Sequence, residues 1–166
     1  MIGSLRGVVL ERLPGPGGQG ELLLEVGGVG YRVTVAAGAV ATAGVGEPAF
    51  VHVYTHVRED AIVLYGFVTR EERGCFEALI AAHGVGPALA LAVISVLSPV
   101  GLRRALASGD VDALTAVPGV GRKTAARLLI DLKPRFDLEG DHPIGVSDGH
   151  DAVRSEVRAA LSGLGY

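Results

Sequence analysis

The chain has 166 residues, enough for one average domain or two small ones. It is 49% hydrophobic and 20% charged, which excludes disorder for most of its length. A formal net charge of -3 argues, taken alone, against a nucleic-acid partner, and a single cysteine, Cys75, excludes a disulfide framework or a cysteine-rich metal or iron–sulfur site.

The first third reads as β structure. Runs rich in Val, Leu and Tyr cover Ile2–Leu10, Glu21–Val26, Tyr31–Ala36, Ala49–Val57 and Ala61–Phe67. Pro14-Gly15-Pro16-Gly17-Gly18 and Gly27-Gly28 punctuate them with turn chemistry. Five short strands in residues 1–66 predict a small barrel, and the five-stranded OB-fold is the leading type. The alternating, charged start MIGSLRGVVLERL does not read as a signal peptide. With no membrane-length apolar run, no membrane partner is expected and the chain reads as cytoplasmic.

Residues 67–136 read as helical. Thr69-Arg70-Glu71-Glu72 has the pattern of a capping box and opens a helix to about Ala82. Ser98-Pro99 reads as an N-cap followed by proline in the first helical position. Asp110 caps a short helix to about Val117, and a further helix runs from Arg122 to Lys133, where Pro134 is expected to stop it. Residues 137–148 read as an acidic linker with Gly and Pro. Beyond it Val153, Val157, Ala160, Leu161 and Leu164 recur at helical spacing.

Charge follows the same division. Residues 1–66 carry net -2, residues 67–136 net +3 and residues 137–166 net -4. A basic middle is thus hidden between acidic ends, which reopens a nucleic-acid partner.

The middle also contains an internal repeat. Leu79 to Ala90 and Leu114 to Ala125 share Leu, Gly-Val-Gly and Ala at an offset of 35 residues. Each copy reads as helix, Gly-Val-Gly, helix. The second helix of each starts at the hinge, so its first amides lack an intrahelical partner and carry the positive end of the helix dipole. Glycine lets another backbone approach closely. The hinges Gly84-Val85-Gly86 and Gly119-Val120-Gly121 are therefore candidate phosphate sites made of main-chain amides. Arg122 and Lys123 sit in a first helical turn, where cations oppose the dipole, and Arg127 lies four residues after Lys123 on the same face. A bound anion makes sense of that cluster. A P-loop does not fit, because the glycine spacing is wrong and a helix precedes it.

No nucleophile–base pair is evident, and no cofactor is expected. His52 and His56 share one strand face but lack further metal ligands, so no metal site is expected; His142 and His150 lie in or beside the linker.

The two hinges are the signature of the helix-hairpin-helix motif in tandem. Together with Met1-Ile2-Gly3, Val26-Gly27-Gly28-Val29-Gly30-Tyr31, Arg58-Glu59-Asp60-Ala61, Leu64-Tyr65-Gly66-Phe67, Gly84-Val85-Gly86-Pro87 and Pro118-Gly119-Val120-Gly121, in this order, the chain resembles the RuvA family of bacterial Holliday-junction proteins. The resemblance covers nearly the whole chain. It implies an OB-fold domain (1–66), a tandem hairpin domain (67–136), a flexible linker (137–148) and the first helix of a C-terminal motor-binding domain (149–166). It implies a homotetramer, with an octamer left open, that holds a four-way DNA junction open. It implies as partners the RuvB ATPase, which drives branch migration, and the RuvC resolvase, and no catalysis by the chain itself. On this pattern Gly84, Val85, Gly86, Gly119, Val120 and Gly121 offer phosphate-binding backbone, Arg122, Lys123 and Arg127 add charge, and Glu59 and Asp60 form an acidic pin at a hairpin tip. Family members often carry a basic residue where this chain has Ala88, so the first hinge rests on backbone alone or on help from His83. Family members also continue past the position of Tyr166, so the motor-binding domain is expected to be incomplete and junction binding unaffected.

Two rivals remain. A helix-hairpin-helix DNA glycosylase would use an acid such as Asp141, which lies 18 residues after Lys123 but in the linker. A single-strand-binding OB protein would need exposed aromatics; Tyr31, Phe50, Tyr54, Tyr65 and Phe67 fit core or strand positions equally well.

Overall fold

A computed structural model describes residues 1–139. Five strands come first: β1 (Ser4–Pro14), β2 (Gln19–Val26), β3 (Val29–Ala36), β4 (Pro48–Val57) and β5 (Ile62–Phe67). They close into a barrel in the order β1-β2-β3-β5-β4. All neighbours are antiparallel except β3 and β5, which run parallel from Val33↔Leu64 to Val35↔Gly66. β1 serves two neighbours: its first half pairs with β4 and its second half with β2, and Val8 faces both Pro48 and Glu25. The register to β2 shifts between Val9 and Glu11, a bulge that bends the strand so the sheet can close.

Alternation sets the barrel interior. Leu5, Val9, Leu22, Leu24, Val33, Val35, Val51, Val53 and Leu64 form one buried cluster. A short helix that the sequence did not announce, α1 (Ala37–Thr42), joins β3 to β4 and adds Val40 to the same core. It has no side-chain cap, so no local signal marks it.

The helical part comprises α2 (Arg70–Ile80), α3 (Pro87–Val96), α4 (Pro99–Ser108), α5 (Val111–Thr115) and α6 (Arg122–Glu139). The expected caps are present. Thr69 accepts from the Glu72 amide and the Glu72 side chain returns the bond. The Ser98 side chain accepts from Gly101 N and the Asp110 side chain from Ala113 N. One expectation is corrected: Pro134 does not stop the last helix, which runs through it to Glu139. Proline removes a donor to the carbonyl four residues back, here Ile130. Ile130 and Pro134 are both exposed, so water can satisfy that carbonyl, while Leu132 and Phe136 are buried on the other side and hold the helix to the core. Asp137–Glu139, read as the start of the linker, are therefore helical. The rest of that segment and the helix read over Val153–Leu164 lie outside the described residues.

The two parts share a seam. Tyr65 and Phe67 point out of the barrel and belong to the helical core, where their rings lie 5.1 and 4.9 Å from that of Phe76. Ser95 Oγ lies 2.7 Å from the Gly18 carbonyl oxygen, and Arg73 Nη1 donates to the Gly3 carbonyl at 3.3 Å. Cys75 is buried in this same core.

Candidate nucleic-acid interface

The sequence repeat is a repeat of hydrogen bonds. At the first hinge Ala81 N donates to Glu77 O, Ala82 N to Leu79 O, Val85 N to Ala82 O and Ala90 N to Gly86 O. At the second, Ala116 N donates to Asp112 O, Val117 N to Leu114 O, Val120 N to Val117 O and Ala125 N to Gly121 O. Every donor and acceptor is displaced by the same 35 positions. Gly84 and Gly119 hold φ of 74° and 86°, a region that favours glycine. Val85 and Val120 are buried and anchor each turn to the helical core.

The helix starts differ in a way that matters. α2, α4 and α5 close their first amides with their own side chains. α3 begins at Gly86 with no side-chain cap, and α6 follows Gly121, which has no side chain to offer. Amide donors therefore remain at both hinges, suited to a phosphate.

Charge reaches the hinges from two sources. At the second hinge Arg122 and Lys123 occupy the first turn of α6. Arg122 Nη2 lies 3.2 Å from Asp112 Oδ1, with both side chains about four-fifths exposed (80% and 82%), so the pair is weakly held. The Arg127 guanidinium lies against the first hinge. A Cβ built on Gly84 would stand 2.7 Å from Arg127 Nη2. Arg135, which the sequence did not single out, donates from Nη2 to the Ala81 carbonyl at 3.2 Å.

This contact makes a prediction. Gly119→Ala meets only the backbone strain of a left-handed φ, since nothing lies within 4 Å of its new Cβ. We expect a stability loss of about 1–2 kcal/mol. Gly84→Ala adds displacement of Arg127, so junction affinity should fall more than at position 119 for a similar melting shift. Thermal melts paired with binding titrations check this; equal affinities for the two variants would count against the placement of Arg127.

Glu59 and Asp60 sit at the tip of the β4–β5 hairpin. Val57 pairs with Ile62, and Arg58 N donates to Ala61 O at 2.8 Å, closing a tight turn. Both carboxylates are exposed. Behind the turn, burial pushes the Tyr65 phenol above its ordinary pKa, with the Arg58 guanidinium acting the other way.

The aromatic positions are largely committed. Tyr65 and Phe67 are buried, Tyr54 packs 5.4 Å from Phe76, and Phe50 lies under Arg6 at 5.5 Å. Of the five aromatics singled out in the sequence, Phe50 alone is exposed (42%), and it lies under the Arg6 guanidinium. Asp141, the acid a glycosylase reading needs, lies outside the described residues. Among the described residues, no three His, Cys, Asp or Glu side chains gather to hold a metal, and no single helix is long and apolar enough to cross a membrane.

Comparison with known proteins finds matches to both the barrel and the helices. Residues 1–66 match the family model for the RuvA N terminal domain, and residues 76–134 match the SAM-like helix-hairpin-helix tandem. The protein named Holliday junction branch migration complex subunit RuvA in Rubrobacter xylanophilus is 45% identical over 168 residues, covering 100% of this chain and 83% of that protein. Those of the same name in Salinispora arenicola and Streptomyces coelicolor are 44% and 43% identical, over 100% of this chain and 81% and 80% of their own lengths. Matched in both its barrel and its hairpin region, and aligned with these relatives over its whole length, the chain belongs to the RuvA family.

Proposed function

We propose that this chain binds four-way DNA junctions by their shape, through backbone phosphates, and holds them open. It acts as the non-catalytic DNA-binding subunit of a cytoplasmic branch-migration complex, with ATP hydrolysis supplied by a RuvB motor. The observation that carries this reading is the pair of uncapped Gly-Val-Gly hinges in matching geometry, one of them charged by Arg122 and Lys123. Such sites contact phosphates and carry no sequence information, which suits a structure-specific binder. The relatives' printed name supports the junction and the complex.

In this reading four copies surround the junction, so each arm meets its own pair of hinges. Recruitment of RuvB belongs to the C-terminal segment, and RuvC resolves the junction after migration. Glu59 and Asp60 face the crossing and repel strands that approach too closely.

A gel-shift comparison of a four-way junction, a duplex of equal length and a single strand tests the function. The junction should bind most tightly. Equal affinity for the duplex, or preference for the single strand, would overturn the reading.

The pin makes its own prediction. Glu59→Gln with Asp60→Asn removes two negative charges from the DNA side. Junction affinity should stay equal or rise up to about 10-fold at low salt, while branch migration with RuvB changes in rate. A large drop in affinity would contradict a repulsive role.

A further inference from the structure

The two hinges share a backbone but not a charge pattern. Under the 35-residue repeat, Pro87 and Ala88 stand where Arg122 and Lys123 stand. The first turn of α3 therefore carries no cation, and α3 as a whole, PALALAVISV, has no charged residue. Cations reach this hinge from α6 instead. The Arg127 guanidinium lies over Gly84, with Nη2, Cζ and Nη1 at 2.7, 3.3 and 3.5 Å from the position of a Cβ there. Arg135 reaches the same turn from further along α6 and donates to the Ala81 carbonyl at 3.2 Å.

We infer that the first hinge's phosphate site is completed by Arg127 and Arg135, lent by the helix that starts at the second hinge. The inference rests on the phosphate-binding reading above and extends it by assigning these two residues to the first hinge.

Three observations support it. Both arginines are exposed, so a ligand can reach them. Asp131 lies four residues from each, yet forms no ion pair with either among the described residues, so their charge is not consumed within the helix. Arg135 spends one N–H on the Ala81 carbonyl at the end of α2, where a cation also suits the helix dipole, and that bond holds the planar fork in place. A guanidinium has five donors, so several remain for phosphate oxygens. The arrangement also ties the hinges together, since one rigid helix starts at the second and supplies charge to the first.

The test uses the full chain and four variants: Arg127→Gln with Arg135→Gln, the same pair with Ala88→Lys, Ala88→Lys alone, and Arg122→Ala with Lys123→Ala. Four-way-junction affinity is measured across a salt series, with thermal melts to check folding. The double glutamine variant should lose about 10- to 30-fold and show a shallower salt dependence. Ala88→Lys, which restores a cation at the position equivalent to Lys123, should recover most of that loss. It should gain clearly less in the unaltered chain, because the site is already filled. No loss in the glutamine variant, or an equal gain from Ala88→Lys in both backgrounds, overturns the inference. If either happens while the Arg122, Lys123 variant still loses binding, the hinge reading stands and only the assignment of Arg127 and Arg135 fails. If the Arg122, Lys123 variant also binds normally, the hinge reading itself fails.

Discussion

Replacing Arg122 and Lys123 together by alanine is expected to weaken four-way-junction binding by about 100-fold and to flatten its salt dependence. Each side chain sits in the first turn of α6, beside amides that have no intrahelical partner. A charge-assisted contact to phosphate contributes about 1.5–3 kcal/mol, and two such contacts at the low end of that range already reach the stated loss. The slope against salt falls because fewer counterions are released. The folded chain should not suffer. Cations at a helix N-terminus oppose the dipole, and the exposed Arg122–Asp112 pair contributes little. The melting temperature should therefore hold or rise slightly while binding collapses. Anisotropy titrations at several salt concentrations, with a parallel melt, read both quantities. Full binding at all salts would remove these residues from the interface.

The largest effect on stability is expected at Phe76. Its side chain is fully buried (0% exposed), and its ring meets Tyr54, Tyr65 and Phe67 of the barrel at 5.4, 5.1 and 4.9 Å. Phe76→Ala should cost about 3–5 kcal/mol, from lost burial plus the cavity left in a seam that two rigid parts cannot close. Phe76→Leu refills most of that volume and should cost less than half as much. Urea unfolding of both variants measures this. A loss under 1 kcal/mol for the alanine variant would mean that the barrel and the helices are not held together through this ring.

Much of the helical part was legible because its signals are local. Thr69, Ser98 and Asp110 each cap a helix with an oxygen that reaches an amide three residues on, and short-range chemistry of that kind is written in neighbouring residues. The strands were legible from alternation and from the glycine turns between them. The hinges were legible because Gly-Val-Gly occurs twice at one spacing.

What escaped the sequence depended on distant partners. Pro134 breaks a helix by local rules, yet α6 continues because Leu132 and Phe136 bury themselves on either side of it. Tyr65 and Phe67 looked like any strand residues until α2 covered them with Phe76.

The sequence by itself determined the order of barrel and helices, the capped helix starts, the two hinges with their offset of 35, and the basic middle behind a net charge of -3. These depend on periodicity, turn chemistry and composition, which act over a few residues. Only the tertiary structure decided how the barrel closes, through the parallel pairing of β3 with β5, and where the Arg127 guanidinium lies. Helical spacing puts Arg127 one turn after Lys123, and the packing of α6 against α2 brings its guanidinium to Gly84. The direction of a long side chain is set by what its helix packs against, and that contact lies more than forty residues away in the chain.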